Sequence, residues 1–293
     1  MFGKRGAIAG LAMGLLAGGC GPVSEAPPAS TTAPPTPVQT QVSAAPEPTA
    51  ASTARADVIV LALGDSIPFN SPDDCPGCTS FVDQYGEALA EATGKAVSVI
   101  NMSEHTGLTV EGLLTSFQQN ASRMPAIEDA DVIIVGIAHN DVPMNRDDDA
   151  CDGAGGEEPD WSKFTDACIE AEMERFRGKY EAVFGTLAAA QDGQATVLRT
   201  INRYNDWIGW PEHTPPAAGV EATARVIAKW NGMLCEVGER HGFLCADIST
   251  AFNGKDGTKP SGDLLAGDHT HPSQKGNDVI AKVLIDLGFA PLV

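Results

Sequence analysis

Four short segments of the chain combine residue types that could perform catalytic chemistry. The first is Gly64-Asp65-Ser66, and the last is Asp268-His-Thr-His271. A serine hydroxyl is a poor nucleophile until a base removes its proton, and a histidine oriented by an aspartate is such a base. The other two are 101–107, which ends in a glycine whose backbone can approach a ligand closely, and 136–141. Taken alone, Gly-Asp-Ser is a common turn, so the pattern depends on the segments occurring together.

The elements between these segments predict how they are brought together. Short apolar runs typical of buried strands alternate with segments of helical periodicity. This alternation predicts an α/β fold, a three-layer α/β/α sandwich around a five-stranded parallel sheet. In such sheets the functional site lies beyond the carboxyl ends of the strands. Strands are predicted at 57–63, 96–100, 131–137, 195–201 and 243–248, and helices at 80–93, 110–123, 161–190, 218–240 and 274–287.

In order and in position at the strand ends, the four segments resemble the motif blocks of the SGNH (GDSL-type) hydrolases. The resemblance extends over the folded part, residues 57–293, and implies a flavodoxin-like sandwich. Two positions depart from the family pattern. The first block reads GDSI instead of GDSL, and Ala138 replaces the glycine of the block that usually reads GxND. The usual nucleophile-elbow signature GxSxG of the α/β-hydrolases is absent from the serine segment.

This resemblance implies a role for each site residue. Ser66 is the expected nucleophile, His271 the expected base, and Asp268 the residue that fixes the tautomer of the base. The oxyanion donors are expected to be the backbone N–H groups of Ser66 and Gly107 and the side-chain amide of Asn140. His269 is an alternative base, although the family's DxxH spacing selects His271. No metal and no cofactor is expected.

The N-terminal region predicts export. Lys4 and Arg5 precede a short apolar stretch, and small residues lead to Cys20, as in a bacterial lipobox. We therefore expect a signal peptide at 1–20, with Cys20 lipidated, and a disordered tether rich in Pro, Ala, Ser and Thr at 21–56. The hydrolase would then be anchored to the cell envelope. An ordinary secretory peptide, giving a soluble secreted protein, is the alternative.

Six further cysteines fit an oxidising compartment, where an even number indicates disulfides. Pairing between neighbours in the sequence predicts the bonds Cys75–Cys78, Cys151–Cys168 and Cys235–Cys245. The Cys-Pro-Gly-Cys segment also has the spacing of a zinc knuckle or a redox motif, but no second CxxC accompanies it.

A loop after the fourth predicted strand is rich in aromatic residues. It carries Tyr204, Trp207 and Trp210. Such a loop can form a substrate-binding wall, and it can equally cover an edge of the core. Both interpretations remain open from the sequence.

The charge of the chain excludes some partners. A net charge of −20, with 19 basic against 39 acidic residues, excludes nucleic acid as a partner and disfavours anionic lipid surfaces. The predicted function is an exported serine ester hydrolase working through an acyl-Ser66 intermediate, and the chain is expected to be a monomer. Alternatives are an O-acyl or acetyl transferase, a carbohydrate deacetylase, and a non-catalytic carbohydrate-binding module. The ester substrate, whether small molecule, lipid or carbohydrate, is not named by the sequence.

Overall fold

The computed structural model describes residues 58–145, 151, 159–209 and 215–293. Within these ranges five strands form one sheet in the order β2-β1-β3-β4-β5, and every neighbouring pair is parallel. The prediction of a five-stranded parallel α/β sheet is thereby confirmed. The strands are β1 (Val58–Gly64), β2 (Val97–Asn101), β3 (Val132–Gly136), β4 (Val197–Ile201) and β5 (Leu244–Ala246).

Both faces of the sheet are covered, because successive side chains of a strand point to opposite sides. In β1, Val60 and Ala62 belong to one apolar cluster, whereas Leu61 and Leu63 belong to the other. The continuous apolar character of the strands follows from this double burial. The helices are α1 (Ser66–Phe69), α2 (Phe81–Thr93), α3 (Val110–Gln119), α4 (Arg123–Glu128), α5 (Asp166–Ala190), α6 (Ala217–Arg240), α7 (Ile248–Asn253) and α8 (Gln274–Asp286).

Several element boundaries differ from the sequence prediction for local reasons. Helix α5 begins at Asp166 and not at 161, because the Thr165 side chain accepts a hydrogen bond from the backbone N–H of Cys168 and caps the helix there. The predicted helix 110–123 is two helices, since α3 ends at Gln119 and α4 starts at Arg123. Strand β5 ends at Ala246, because the Asp247 side chain caps α7.

The chain changes direction across the sheet between β1 and β3, and this is where open α/β sheets bind ligands. After β1 it forms β2 on one side, then returns to place β3 on the other. At the carboxyl end Gly64 pairs with Gly136. A Cβ atom on Gly64 would lie 1.9 Å from the carbonyl oxygen of Gly136, so only glycine permits this approach.

The structure forms the three disulfides predicted from sequence proximity: Cys75–Cys78, Cys151–Cys168 and Cys235–Cys245. With its two sulfurs joined, the Cys75–Cys78 segment does not offer the thiolates of a zinc knuckle. In the part of the chain that the structure describes, no helix is long and apolar enough to cross a membrane. The expected signal peptide, Cys20 and the tether 21–56 lie outside the described residues.

Candidate active site

The Gly64-Asp65-Ser66 turn leads from the carboxyl end of β1 directly into α1. Ser66 is the first residue of this one-turn helix and is half-buried. Asp65 caps the helix, because its Oδ1 accepts a hydrogen bond from the backbone N–H of Ile67 at 3.0 Å. The turn therefore fixes the backbone of Ser66 at the edge where β1 and β3 end.

The Asp65 carboxylate also joins this turn to the loop after β3. Its Oδ2 accepts hydrogen bonds from the backbone N–H groups of Ala138 at 3.3 Å and His139 at 3.1 Å. Burial raises the pKa of Asp65, against the lowering influence of His139 and of the backbone donors. The second residue of the serine motif thus positions the segment that carries Asn140.

The loop 265–272 carries the expected base. Nδ1 of His271 lies 2.5 Å from Oδ2 of Asp268, while Oδ1 of Asp268 accepts the backbone N–H groups of Thr270 and His271, each at 3.1 Å. Burial of Asp268 works against its ionisation, but these hydrogen bonds outweigh it and lower the pKa of the carboxyl. Asp268 therefore accepts the imidazole N–H as a carboxylate and orients the ring. His269, the alternative base, sits in the same loop with a left-handed φ of 61°.

The helix of the serine and the loop of the histidine meet through a chain of rings. Phe69, three residues after Ser66 on α1, stacks on His105 with ring centroids 5.6 Å apart. The His105 ring lies in turn 5.5 Å from the His271 ring. The structure thereby brings the predicted nucleophile segment and the predicted base to one place.

Gly107 and Asn140 lie on two loops that contact each other. The side-chain amide of Asn140 donates a hydrogen bond to the carbonyl oxygen of Leu108 at 3.0 Å, next to Gly107. Gly107 is exposed and has a φ of 69°, a left-handed conformation that favours glycine. The two expected oxyanion donors are therefore held beside each other.

Asp141 fixes the Gly107 loop, and sequence reasoning gave it no such role. Its carboxylate accepts the backbone N–H of Val110, at 3.0 Å to Oδ1, and the hydroxyl of Tyr180, at 2.7 Å to Oδ2. Val110 is the first residue of α3, so the carboxylate stabilises the start of that helix. Burial and the neighbouring Asp141 carboxylate raise the pKa of Tyr180 well above its ordinary value.

His139, in the loop after β3, and Asp206, in the segment after β4, form a second histidine–aspartate pair. Nε2 of the buried His139 lies 3.1 Å from Oδ2 of Asp206, whose Oδ1 accepts a hydrogen bond from Arg203 at 2.9 Å. Burial of Asp206 opposes its ionisation, but Arg203 and His139 outweigh it and lower its pKa to about 2. His139 is thereby engaged in an interior ion-pair network.

The aromatic loop after β4 places its residues in different surroundings. Tyr204 is 1% exposed, its ring stacks on Phe252, and its hydroxyl donates to the carbonyl oxygen of Thr270 at 2.6 Å. It supports the loop of His271 from within the core, which agrees with the second of the two interpretations that the sequence left open. Trp207 is half-buried and donates from Nε1 to Oδ1 of Asn145 at 2.9 Å. Trp210 lies outside the described residues.

A carboxylate that the sequence did not indicate also faces the base. Oδ2 of Asp74 lies 3.4 Å from Nδ1 of His271 and 2.9 Å from Nε2 of His105. Asp74 belongs to the loop between α1 and α2, next to the Cys75–Cys78 disulfide. No periodicity or motif marks this position, because the contact depends on how an irregular loop folds back.

Asp74, His105 and His271 each offer an atom of a type that binds metals, and these atoms lie within 4.8 Å of one another. Nδ1 of His271, however, already faces Asp268 at 2.5 Å. A metal bound through that nitrogen would have to displace the contact that orients the base. The arrangement therefore fits a hydrogen-bonded and charged network better than a metal centre.

Comparison with known proteins agrees with this geometry. Residues 62–279 match the model of the GDSL-like Lipase/Acylhydrolase family. No curated protein sequence matches the chain. Among solved structures, a lipase from a goat rumen metagenome is similar with a TM-score of 0.61 at 18% identity, covering 80% of this chain and 100% of the other.

Two further structures share the fold with different activities in their names. Phospholipase A1 from Streptomyces albidoflavus NA297 has a TM-score of 0.52 at 16% identity, covering 79% of this chain and 99% of the other. An acetyl xylan esterase from Geobacillus stearothermophilus has a TM-score of 0.50 at 18% identity, covering 80% and 96%. Identities this low show a common fold. The family match, over most of the described residues, shows more: this chain belongs to the GDSL-like lipase/acylhydrolase family.

Proposed function

We propose that the chain is an exported serine ester hydrolase that works through an acyl-Ser66 intermediate. The observation that supports it best is the His271–Asp268 pair, held beside the helix that begins with Ser66. The chain belongs to a family of acylhydrolases. It also has a serine at this turn and a histidine–aspartate pair next to it, which are the groups that ester cleavage needs.

In the first half of the reaction, the Ser66 hydroxyl oxygen attacks the ester carbon as His271 accepts its proton at Nε2. Asp268 holds Nδ1–H and stabilises the imidazolium that forms. The carbonyl oxygen becomes negatively charged and accepts hydrogen bonds from the backbone N–H groups of Ser66 and Gly107 and from Asn140. An amide nitrogen carries two N–H groups, so Asn140 can hold Leu108 with one and the oxyanion with the other.

The intermediate then collapses. The bond from the carbonyl carbon to the alkoxy oxygen breaks, and the leaving alcohol takes the proton from His271. In the second half a water molecule attacks the acyl-enzyme, His271 accepts its proton and returns it to Ser66, and the carboxylic acid leaves. The cycle is balanced without a metal or a cofactor.

A fluorophosphonate probe tests the nucleophile directly. We expect stoichiometric labelling, located by peptide mass spectrometry on Ser66, and no labelling of Ser66→Ala. The variant Ser71→Ala, in the loop that follows α1, is the matched control and should label like the native protein. Labelling of another residue, or none in the native protein, would contradict the proposal and favour a non-catalytic carbohydrate-binding module.

The acyl group and the acceptor are tested by a substrate panel. Proteins of the same fold include a lipase, a phospholipase A1 and an acetyl xylan esterase, so the panel needs p-nitrophenyl esters from acetate to palmitate, a phospholipid and acetylated xylan. We expect hydrolysis of the short esters. If a sugar acceptor captures the acyl group faster than water does, the chain is an acyl transferase on the same site.

We also propose that Cys20 is lipidated and anchors the exported chain to the envelope. The three disulfides support an oxidising compartment, and a net charge of −20 disfavours binding to anionic lipid through charge alone. Cys20→Ser should move the protein from the membrane fraction to the soluble fraction and leave ester hydrolysis unchanged. A variant that stays with the membranes would refute the lipid anchor. It would not support the ordinary secretory alternative either.

A further inference from the structure

The base of the proposed hydrolase has two carboxylates around the same nitrogen. Asp268 is three residues from His271 in the same loop, whereas Asp74 comes from the loop that follows the nucleophile helix α1. We propose that Asp74 is a positioning residue, a second carboxylate that stabilises the imidazolium of His271 during turnover. This inference rests on the proposed function, since it assigns the role of base to His271.

The two carboxylates act differently because Nδ1 of a neutral imidazole carries at most one hydrogen. That hydrogen points to Asp268, whose Oδ2 lies 2.5 Å away, so Asp268 sets the tautomer. Oδ2 of Asp74, at 3.4 Å, is left as a charge close to the ring. The charge matters most when His271 accepts the proton of Ser66, because an opposite charge within a few ångströms favours the protonated imidazole.

The surroundings of Asp74 suit this role. Its Oδ2 is buried and has no well-aligned hydrogen bond, although Nε2 of His105 lies 2.9 Å away. A buried carboxylate oxygen in that state is costly to keep unless a positive charge develops nearby. The charge of the imidazolium supplies this during each turnover. The carboxylate is therefore placed in advance for the transition state, as in other preorganised sites.

The loop that holds Asp74 is fastened on both sides of the site. The Cys75–Cys78 disulfide closes it directly after Asp74, and the backbone N–H of Asp74 donates to the carbonyl oxygen of Ser71 at 3.1 Å. Asn70 donates to the carbonyl oxygen of Cys78 at 3.3 Å and accepts from Asn277 of α8 at 3.0 Å. Helix α8 begins just after His271, so the nucleophile helix, the Asp74 loop and the base are linked in one unit.

The charged and titratable groups that contact the His271 ring are Asp268 on its own loop, Asp74 on the loop after α1 and His105 on the loop after β2. Both carboxylates favour the charged ring. Removing one should therefore let His271 lose its proton at a lower pH, which extends activity toward acid while slowing the step that needs the imidazolium.

The first test is Asp74→Asn, which keeps the shape and removes the charge. By NMR, the titration midpoint of the assigned His271 ring should fall by about one pH unit. The acid limb of kcat/KM should move in the same direction, and kcat at pH 8 should fall about tenfold with KM nearly unchanged. Asp73→Asn is the matched control, with the same change of charge on an exposed neighbour in the same loop. Equal behaviour of the two variants would overturn the proposal.

The second test is a double-mutant cycle. When Asp268 is replaced by alanine, Asp74 is close enough to take over the Nδ1 hydrogen, so part of the activity should survive. The variant with both Asp268→Ala and Asp74→Asn should lose at least about tenfold more activity than the product of the two single losses. A loss equal to that product would show that Asp74 does not substitute for Asp268 at Nδ1 of His271 and would overturn this placement of Asp74.

Two further outcomes are distinguishable. If the native protein binds one Zn²⁺ by calorimetry and Asp74→Asn abolishes that binding, Asp74 is a metal ligand and the proposal is wrong. If the native protein shows no hydrolysis and no fluorophosphonate labelling, the proposed function fails, whereas the NMR midpoints still report whether Asp74 acts on His271. Circular dichroism spectra and melting curves of each variant establish that the fold is retained.

Discussion

The pairs His271–Asp268 and His139–Asp206 use the same two residue types at similar distances, yet their surroundings differ. The side chains of the first pair are 16% and 35% exposed, and those of the second 5% and 9%. The third charged group beside each pair also differs in sign. Asp74 adds a carboxylate to the first pair, whereas Arg203 adds a guanidinium to the second. A histidine that must gain positive charge in a reaction is helped by negative charge around it. The first pair has the second carboxylate of Asp74 beside it, whereas the guanidinium of Arg203 offsets Asp206 in the second pair.

The comparison separates a site for chemistry from an interior support. In the second pair, Arg203 neutralises Asp206, and the network lies beneath the loop that carries Asn140. Breaking a buried network costs stability, because it leaves a charge or a donor without a partner in the interior. Breaking the first pair should cost activity.

The largest expected effect is on activity at His271. His271→Ala should lower kcat by at least about 10⁴-fold, because nucleophile and base act as one unit, with little change in melting temperature. His139→Ala should keep kcat within about tenfold and lower the free energy of unfolding by about 1–3 kcal/mol. Steady-state kinetics and urea unfolding measure both quantities. His269→Ala is the control from the same loop, and an inactive 269 variant beside an active 271 variant would refute the assigned base.

The next effect is on stability at Asp206. Asp206→Asn removes the counter-charge of Arg203, whose side chain is 1% exposed, and should lower the free energy of unfolding by about 3–5 kcal/mol. Asp263→Asn, which breaks an exposed pair with Lys275, is the control and should leave the midpoint of urea unfolding unchanged. Equal midpoints of urea unfolding for the two variants would mean that the interior pair does not stabilise the fold.

Asn140 follows His139 in the sequence but belongs to the chemical side of the comparison. Asn140→Ala should lower kcat by about 10²–10³-fold with KM nearly unchanged, because an oxyanion donor interacts most strongly after charge has developed. Asn145→Ala, which removes a donor to the carbonyl oxygen of His139 in the same loop, should lose less than about tenfold. A raised KM at unchanged kcat would show that Asn140 binds the ground state instead.

Much of this arrangement follows from the sequence. The strands are continuous apolar runs, and β1 in particular ends at a glycine that the close approach of Gly136 requires. Asp268 and His271 are three residues apart, so a single loop can bring them into contact. The resemblance to the SGNH hydrolases then implies the catalytic roles of these residues, which their spacing alone leaves open. Disulfides between neighbours in the sequence were also predictable, since short loops close easily.

The remaining contacts depend on tertiary structure. Asp74 reaches His271, and Asp206 reaches His139, from irregular loops distant in the sequence, where no periodicity predicts the direction of a side chain. Tyr204 shows the same limit. Its position in a loop beyond a strand left a ligand wall and a cover of the core equally open. The ring lies in the core, where Phe252 packs against it and the carbonyl oxygen of Thr270 accepts its hydroxyl.

The smallest expected effect is the pH dependence of the interior pair. The pKa of Asp206 is lowered from 3.8 to about 2 in the folded chain, so its ionised form stabilises the fold. A lowered value contributes stability that is fully present above pH 3.8 and is lost as the pH falls through about 2. The contribution is about 2 kcal/mol. Urea unfolding of the native protein and of Asp206→Asn should therefore differ most at pH 6 and less at pH 2.5. Other carboxylates titrate in both proteins, so their contributions cancel in the difference between the two free energies of unfolding. A difference that stays constant from pH 6 to pH 2.5 would show that the charge of Asp206 is not what stabilises this region.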